Sequence, residues 1–170
     1  MGCDIHIFVE RKNEKTGVWE KADCNSLNYR DYSLFAFLAD VRNYDRCQPL
    51  SKPKGIPFNV CEDTRVEWKQ GVSYAHSASF FRVNELLDFD YEKTFWNRRI
   101  SRTTIMDNGK TLTDGASLAE EGEGKIISYK ENLGEIFFTD LEELKKLCNP
   151  TPLPGITPFS DVRIVFWFDN

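Results

Sequence analysis

Apolar and polar positions alternate at both ends of the chain and follow a helical period between them. Near the start, Cys3, Ile5, Ile7 and Val9 form one set, and Asp4, His6, Phe8 and Glu10 form the other. Near the end, Val162, Ile164, Phe166 and Phe168 alternate with Arg163, Val165, Trp167 and Asp169. A period of two marks a strand with one buried face. Residues 18–23, VWEKAD, predict a second strand, joined to the first through the polar turn RKNEKTG.

Leu34, Phe37, Leu38 and Val41 stand at i, i+3, i+4 and i+7, which predicts a helix over 32–42 with Asp31 as its cap. A short helix over 63–70 should end at Gly71, and another over 83–89 should start at Asn84. Between them, 71–81 (GVSYAHSASFF) reads as a loop tucked under the core by Phe80 and Phe81. Asn108-Gly109, inside the turn 107–110, predicts a type I′ hairpin between RTTIM and KTLTD. The acidic, glycine-rich 114–124 predicts a mobile loop, and 125–130 and 135–138 read as strands. Thr139-Asp140-Leu141-Glu142 has the form of a capping box, opening a helix that presents Leu141, Leu144, Leu147 and Cys148 and stops at Asn149-Pro150.

These elements predict an α+β fold in a single domain, 1–170. Its sheet should be mostly antiparallel, with the first and last strands central or adjacent. About three to four helices and a β-hairpin arm complete it, with 97–138 as a β-rich insertion.

Composition narrows the class. At 170 residues the chain suits one domain, and its 41% hydrophobic content suffices for a core. A net charge of −5 argues against a general nucleic-acid coat, which needs a basic surface. No run of 18 apolar residues occurs, and the start lacks the basic and apolar regions of a signal peptide, so a cytoplasmic protein without a membrane partner is expected. Cys3, Cys24, Cys47, Cys61 and Cys148 are scattered and form no C-x-x-C, which disfavours a disulfide framework or a zinc knuckle.

Candidate chemistry centres on Asp4-x-His6, which holds one of the chain's 2 histidines. Residues i and i+2 of a strand lie about 6.5–7 Å apart, so both side chains can converge on one ion through bonds of about 2.0–2.2 Å. Glu10 is about 13 Å from His6 by the same rise and should end the strand or pair with a neighbour. Calcineurin-type metallophosphoesterases also begin with Asp-x-His on a first strand. Their later Gly-Asp-x-x-Asp, Gly-Asn-His and His-x-His motifs are absent here, which excludes that family. If the first and last strands pair, Arg163 or Asp169 joins the same surface, and His76 can close over it. The expected ligands for one divalent ion, zinc or manganese, are therefore Asp4, His6, His76 and Asp169, with Asp4, His6 and His76 as the catalytic groups. Arg42, Arg98, Arg99 and Arg163 are candidates for binding an anion, since guanidinium forks suit phosphate. Ser73, Ser77 and Ser79 surround His76 but form no Gly-x-Ser-x-Gly elbow. As sequence neighbours, Ser77 and His76 are not expected to face each other.

MGCDIH at the start, LFAFLADVRNY from Leu34 to Tyr44, PKGIP from Pro53 to Pro57, HSAS from His76 to Ser79 and FWFDN at the end carry a resemblance. The chain resembles a group of uncharacterised proteins encoded by bacteriophages and prophages. The matching pieces fall in order over nearly the whole chain, apart from 97–133. The resemblance implies a phage context, hence the host cytoplasm, and it places His6 and His76 in the group's motifs. It implies no particular reaction. The residues themselves point to a metal-dependent hydrolase of phosphoesters or nucleotides built around Asp4 and His6. In a metal-free version His6, oriented by Asp4, is the general base. The alternative is a non-catalytic phage protein that binds a small phosphorylated ligand or a host protein, in host defence or host takeover.

Overall fold

A computed structural model describes residues 2–105, 111–118, 124–152 and 155–170. In chain order the elements are β1 (Asp4–Lys12), β2 (Trp19–Lys21), α1 (Tyr32–Ala39), α2 (Glu62–Gly71), β3 (His76–Arg82), α3 (Val83–Leu87), β4 (Thr94–Asn97), β5 (Arg99–Ile105), β6 (Thr111–Leu118), β7 (Lys125–Ser128), α4 (Tyr129–Leu147) and β8 (Val162–Asp169). The fold is α+β, as the alternation at the two ends and the helical spacing between them predict. The chain forms two compact units interleaved in sequence. One comprises Met1–Arg30, Ser51–Phe89 and Gly134–Asn170, and the other Asp31–Leu50 and Asp90–Leu133.

The first unit is built on an antiparallel sheet in the order β2-β1-β8-β3. The first and last strands are therefore adjacent and central. Asp4 lies opposite Asp169, His6 opposite Trp167 and Glu10 opposite Arg163. On one face Cys3, Ile5, Val9, Phe81, Val162, Ile164, Phe166 and Phe168 are buried. The opposite face is covered at one end only. There Glu10 is wholly buried and takes Arg163 Nε at 2.7 Å, while Arg163 Nη1 and Nη2 each donate to Asn59 at 3.0 Å. The second Glu10 oxygen accepts the Cys61 amide at 2.9 Å, and the guanidinium lies 3.9 Å over the Trp19 ring. Burial lowers the Arg163 pKa, and Glu10 opposes that shift. The expectation that Arg163 clamps an external anion is overturned, because its donors are spent inside the fold. Of the two roles expected for Glu10, pairing with a neighbour is the one found, and the strand runs on to Lys12. Trp68 of α2 meets Trp167 edge-on at 5.2 Å, so this helix lies along the same face.

Several local expectations change. Residues 71–81 are not a loop throughout. Gly71 ends α2, and β3 begins at His76, because Ser79 and Phe81 find partners in Phe166 and Ile164 of β8. The helix after it runs Val83–Leu87 and is capped from Arg82, whose amide donates to Glu85 at 2.7 Å, rather than from Asn84. Residues 135–138 are helical, not a strand. Phe137, Leu141, Leu144 and Cys148 recur at helical spacing and are buried together, so the longer period wins over a four-residue alternation. Thr139 consequently lies inside α4, its hydroxyl donating to the Glu135 carbonyl at 3.0 Å, and caps nothing. Gly134, at φ 70 and ψ 175, separates the two helical pieces of α4.

In the second unit, Leu34, Phe35, Ala36, Phe37, Leu38 and Ala39 of α1 are all buried. The helix stops at Ala39, earlier than its apolar spacing suggests, because Asp40 turns left-handed and donates its amide to Ala36. Asp31 caps its start as expected, accepting the Ser33 amide at 2.7 Å. β4 pairs with β7 and β5 with β6, both antiparallel. Ile105 stands opposite Thr111, so a hairpin arm is present, while its Asn108-Gly109 turn lies outside the described residues. Asp114 to Leu118, expected in a loop, belong to β6. Tyr129 is buried against Phe37 and Phe95, and its hydroxyl donates to the Gln48 carbonyl at 2.9 Å. Among the described residues, no helix is long and apolar enough to cross a membrane.

Three stability predictions follow from this packing. Replacing Arg163 by Leu strands a buried carboxylate and should cost about 3–5 kcal/mol in urea unfolding, with Glu10→Leu in the same chain returning much of it. Gly134→Ala should cost about 1–3 kcal/mol, because φ 70 with ψ 175 suits glycine alone. The third concerns pH. Burial and then Asp45 push the Cys47 thiol up to about 12, and burial and then Asp161 do the same for Cys148. A raised thiol pKa favours the folded state fully below the ordinary value of 9.0 and loses that contribution as pH climbs through 12. Urea midpoints should therefore fall across that window, and less steeply in the Cys47→Ala, Cys148→Ala double variant.

Candidate functional site

The uncovered end of the polar sheet face carries the chemistry. His6 and Asp169 come from the paired strands β1 and β8, two residues out of direct register and so on the same face. His6 Nε2 lies 3.0 Å from Asp169 Oδ2, and the two side chains are 44% and 38% exposed, so solvent reaches both. Trp167, directly opposite His6, holds the imidazole from one side, with ring centroids 5.9 Å apart and planes 19° from parallel. Phe8 stacks on Trp167 in turn at 4.9 Å. A carboxylate only accepts, so Asp169 assigns the hydrogen to Nε2 and leaves the lone pair on Nδ1. That nitrogen has no hydrogen-bond partner among the described residues. The arrangement is a half-exposed imidazole in a fixed tautomer, suited to accepting a proton.

Asp4 stands opposite Asp169, and its carboxylate is met by a cation of its own. Arg30 Nε donates to Asp4 Oδ1 at 2.8 Å, and Nη2 reaches the same oxygen. The sequence pairs His6 with Asp4, two residues away on one strand. In the structure Asp169, diagonally across from His6 on β8, takes that place, while Asp4 is taken by Arg30.

His76 goes elsewhere. It is paired with Phe168, whose side chain faces away from His6 and Trp167, so the two histidines occupy opposite faces of the sheet. Its ring stacks on Phe168 with centroids 6.0 Å apart. Between His76 and Ser79 the ladder is bulged, and Ser77 takes the left-handed φ of 52. This turns Ser77 toward its neighbour, and His76 Nδ1 and Ser77 Oγ lie 3.1 Å apart. On the other side of the ring, His76 Nε2 is 3.2 Å from Asn170 Nδ2. The expectation that Ser77 and His76 do not face each other is thus corrected, since it assumes a regular strand. A positive φ on a serine leaves no mark in the residue pattern.

The other expected anion ligands, Arg42, Arg98 and Arg99, belong to the second unit. Arg99 is braced there, its Nη1 3.5 Å from the buried carboxylate of Asp45 and 3.2 Å from Ser33 Oγ. Asp45 also accepts from Asn132, which accepts in turn from Asn97. The sequence gives no hint that Asp45 is the anchor of this network, because it sits in a stretch rich in proline and base that reads as a surface loop.

Of the four expected metal ligands, only His6 and Asp169 are in contact. Asp4 is held by Arg30, and His76 lies on the other face. Among the described residues no group of three or more His, Cys, Asp or Glu is placed to hold a metal ion. The donor set as arranged suits an acid–base pair better than a closed metal centre. No family model matches the chain, and no curated protein or solved structure is similar to it.

The tautomer gives a direct check. Nitrogen NMR of labelled His6 should show the Nε2–H form near neutral pH, and Asp169→Asn should remove that preference. A His6 ring divided evenly between tautomers in the wild-type protein would count against the geometry.

Proposed function

We propose that the protein is a hydrolase of phosphoesters or nucleotides in which His6 is the general base and Asp169 its orienting partner. One observation carries this reading. The Asp169 carboxylate occupies Nε2 and leaves Nδ1 of a half-exposed imidazole open to a water molecule or a substrate. A base so held raises a hydrolytic rate by about 10²–10⁴. Arg30, at Asp4 on the same end of the sheet, supports a phosphorylated substrate by bringing a cation close by. In the metal-assisted form of the same proposal, His6 and Asp169 would hold a zinc or manganese ion together with Asp4 or the substrate, and the ion would make a bound water more acidic. In the phage context that the sequence resemblance implies, such an activity would act in a host cell on nucleotides.

A second reading, a non-catalytic binder of a phosphorylated ligand or a host protein, is supported by Arg99. Asp45 and Ser33 hold its guanidinium, which remains 31% exposed.

The test is turnover of nitrophenyl phosphates and nucleotides, with EDTA and with added manganese or zinc, alongside elemental analysis. His6→Ala and Asp169→Asn should each lower kcat/KM by about 10²–10⁴. Turnover that survives EDTA identifies the metal-free form, and about one ion per chain that is lost in His6→Ala identifies the metal-assisted one. If no substrate turns over, or if His6→Ala is as active as wild type, the hydrolase reading fails. Nucleotide affinity that falls in Arg99→Ala and not in His6→Ala would then establish the binder.

A further inference from the structure

The sheet face opposite His6 holds a second group of reactive side chains. Ser77 Oγ is 3.1 Å from His76 Nδ1, and His76 Nε2 is 3.2 Å from the Asn170 amide. We propose that Ser77, His76 and Asn170 form a separate acyl-transfer centre, with Ser77 as nucleophile, His76 as its base and Asn170 as a positioning residue, acting on small carboxylic esters.

Three observations lead to it. Ser77 holds a left-handed φ of 52 inside a strand, a conformation costly for any residue but glycine, and strained, bulged positions of this kind re-aim side chains at reactive sites. The ring that it faces is fixed by stacking on Phe168 and by Asn170. All three side chains can be reached from solvent, since His76 and Ser77 are half-buried and Asn170 is exposed. The segment leading into β3 also exposes Val72 and Tyr74, apolar surface for the acyl group.

Asn170 makes the centre switchable. With its Nδ2 toward the ring, Nε2 is an acceptor, Nδ1 carries the hydrogen, and Ser77 Oγ accepts. A half-turn of the amide brings Oδ1 to the ring in place of Nδ2. Nε2 then carries the hydrogen, and Nδ1 receives the Ser77 proton. In that state Oγ bonds to the ester carbonyl carbon as its proton passes to Nδ1. The carbon–oxygen bond to the alcohol breaks, and the alcohol leaves with that proton. Water, giving its proton to Nδ1, cleaves the acyl-serine to acid, and Nδ1 returns the proton to Ser77. The bulge leaves Ser77 and Ala78 without register partners on β8, and in this proposal their amides supply the oxyanion donors.

The full chain is treated with a fluorophosphonate probe and, separately, with nitrophenyl butyrate, and the adduct is located by peptide mass. The expected adduct is on Ser77, absent in Ser77→Ala and in Ser77→Gly. The glycine variant suits the left-handed backbone and so guards against a folding defect. His76→Gln should slow labelling at least about a hundredfold. Asn170→Asp, which can only accept, should speed labelling about tenfold or more by locking the reactive tautomer. A merely structural hydrogen bond would not show that acceleration. No adduct, an adduct spread equally over Ser73, Ser77 and Ser79, or a Ser77 rate indifferent to His76→Gln and Asn170→Asp would overturn the proposal. Because the modified residue is identified directly, the result stands apart from phosphoester turnover at His6.

Discussion

The ion pair between Glu10 and Arg163 is the constraint on which the first unit depends. Both charges are out of water, so each must be satisfied in place, and Asn59, the Cys61 amide and the face of Trp19 complete the shell. Such a pair adds little net stability over apolar residues of the same shape. What it fixes is register. A slip of one residue between β1 and β8 would send one charge to the apolar face, where nothing can receive it. With that register set, Asp169 falls beside His6 at the other end of the same strands. The separation of acid and imidazole is thus decided well away from either, by a buried pair that takes no part in chemistry.

The same two strands present different chemistry on their two faces. Asp169 and Asn170 are consecutive, so their side chains part to opposite sides of the sheet, and each meets one histidine. A carboxylate holds His6 in a single tautomer. A carboxamide holds His76 without choosing one. The difference between an acceptor and a group that both donates and accepts thereby separates a permanently poised imidazole from one whose state depends on an amide rotation.

Strand alternation marks the strands at the chain's two ends, and helical spacing marks α1, since both depend on many residues agreeing on one period. Features that depend on one residue do not show. Glu10 looks like the polar end of a strand, and only a partner 153 residues away explains its burial. Arg163 looks like a free cation for the same reason. His76 and Ser77 look like loop residues because a bulge breaks the period that would mark β3. In the candidate site His6 and Asp169 are legible as one surface once the end strands are paired. That they bond to each other, while Asp4 turns to Arg30, is decided by contacts between segments far apart in sequence that a linear pattern does not contain.

β8 lies between β1 and β3 and is the last element in chain order. The sheet therefore assembles in an order set by synthesis. While the intervening chain is being made, β1 can hydrogen-bond only to the short β2, and β3 has no strand beside it. Their apolar faces and open edges must wait for a strand made after both. Contacts so distant in sequence slow folding, and unpaired apolar edges invite association with other chains. The nascent protein is thus vulnerable until β8 leaves the ribosome, and its yield in a cell should depend on chaperones that shield strand edges.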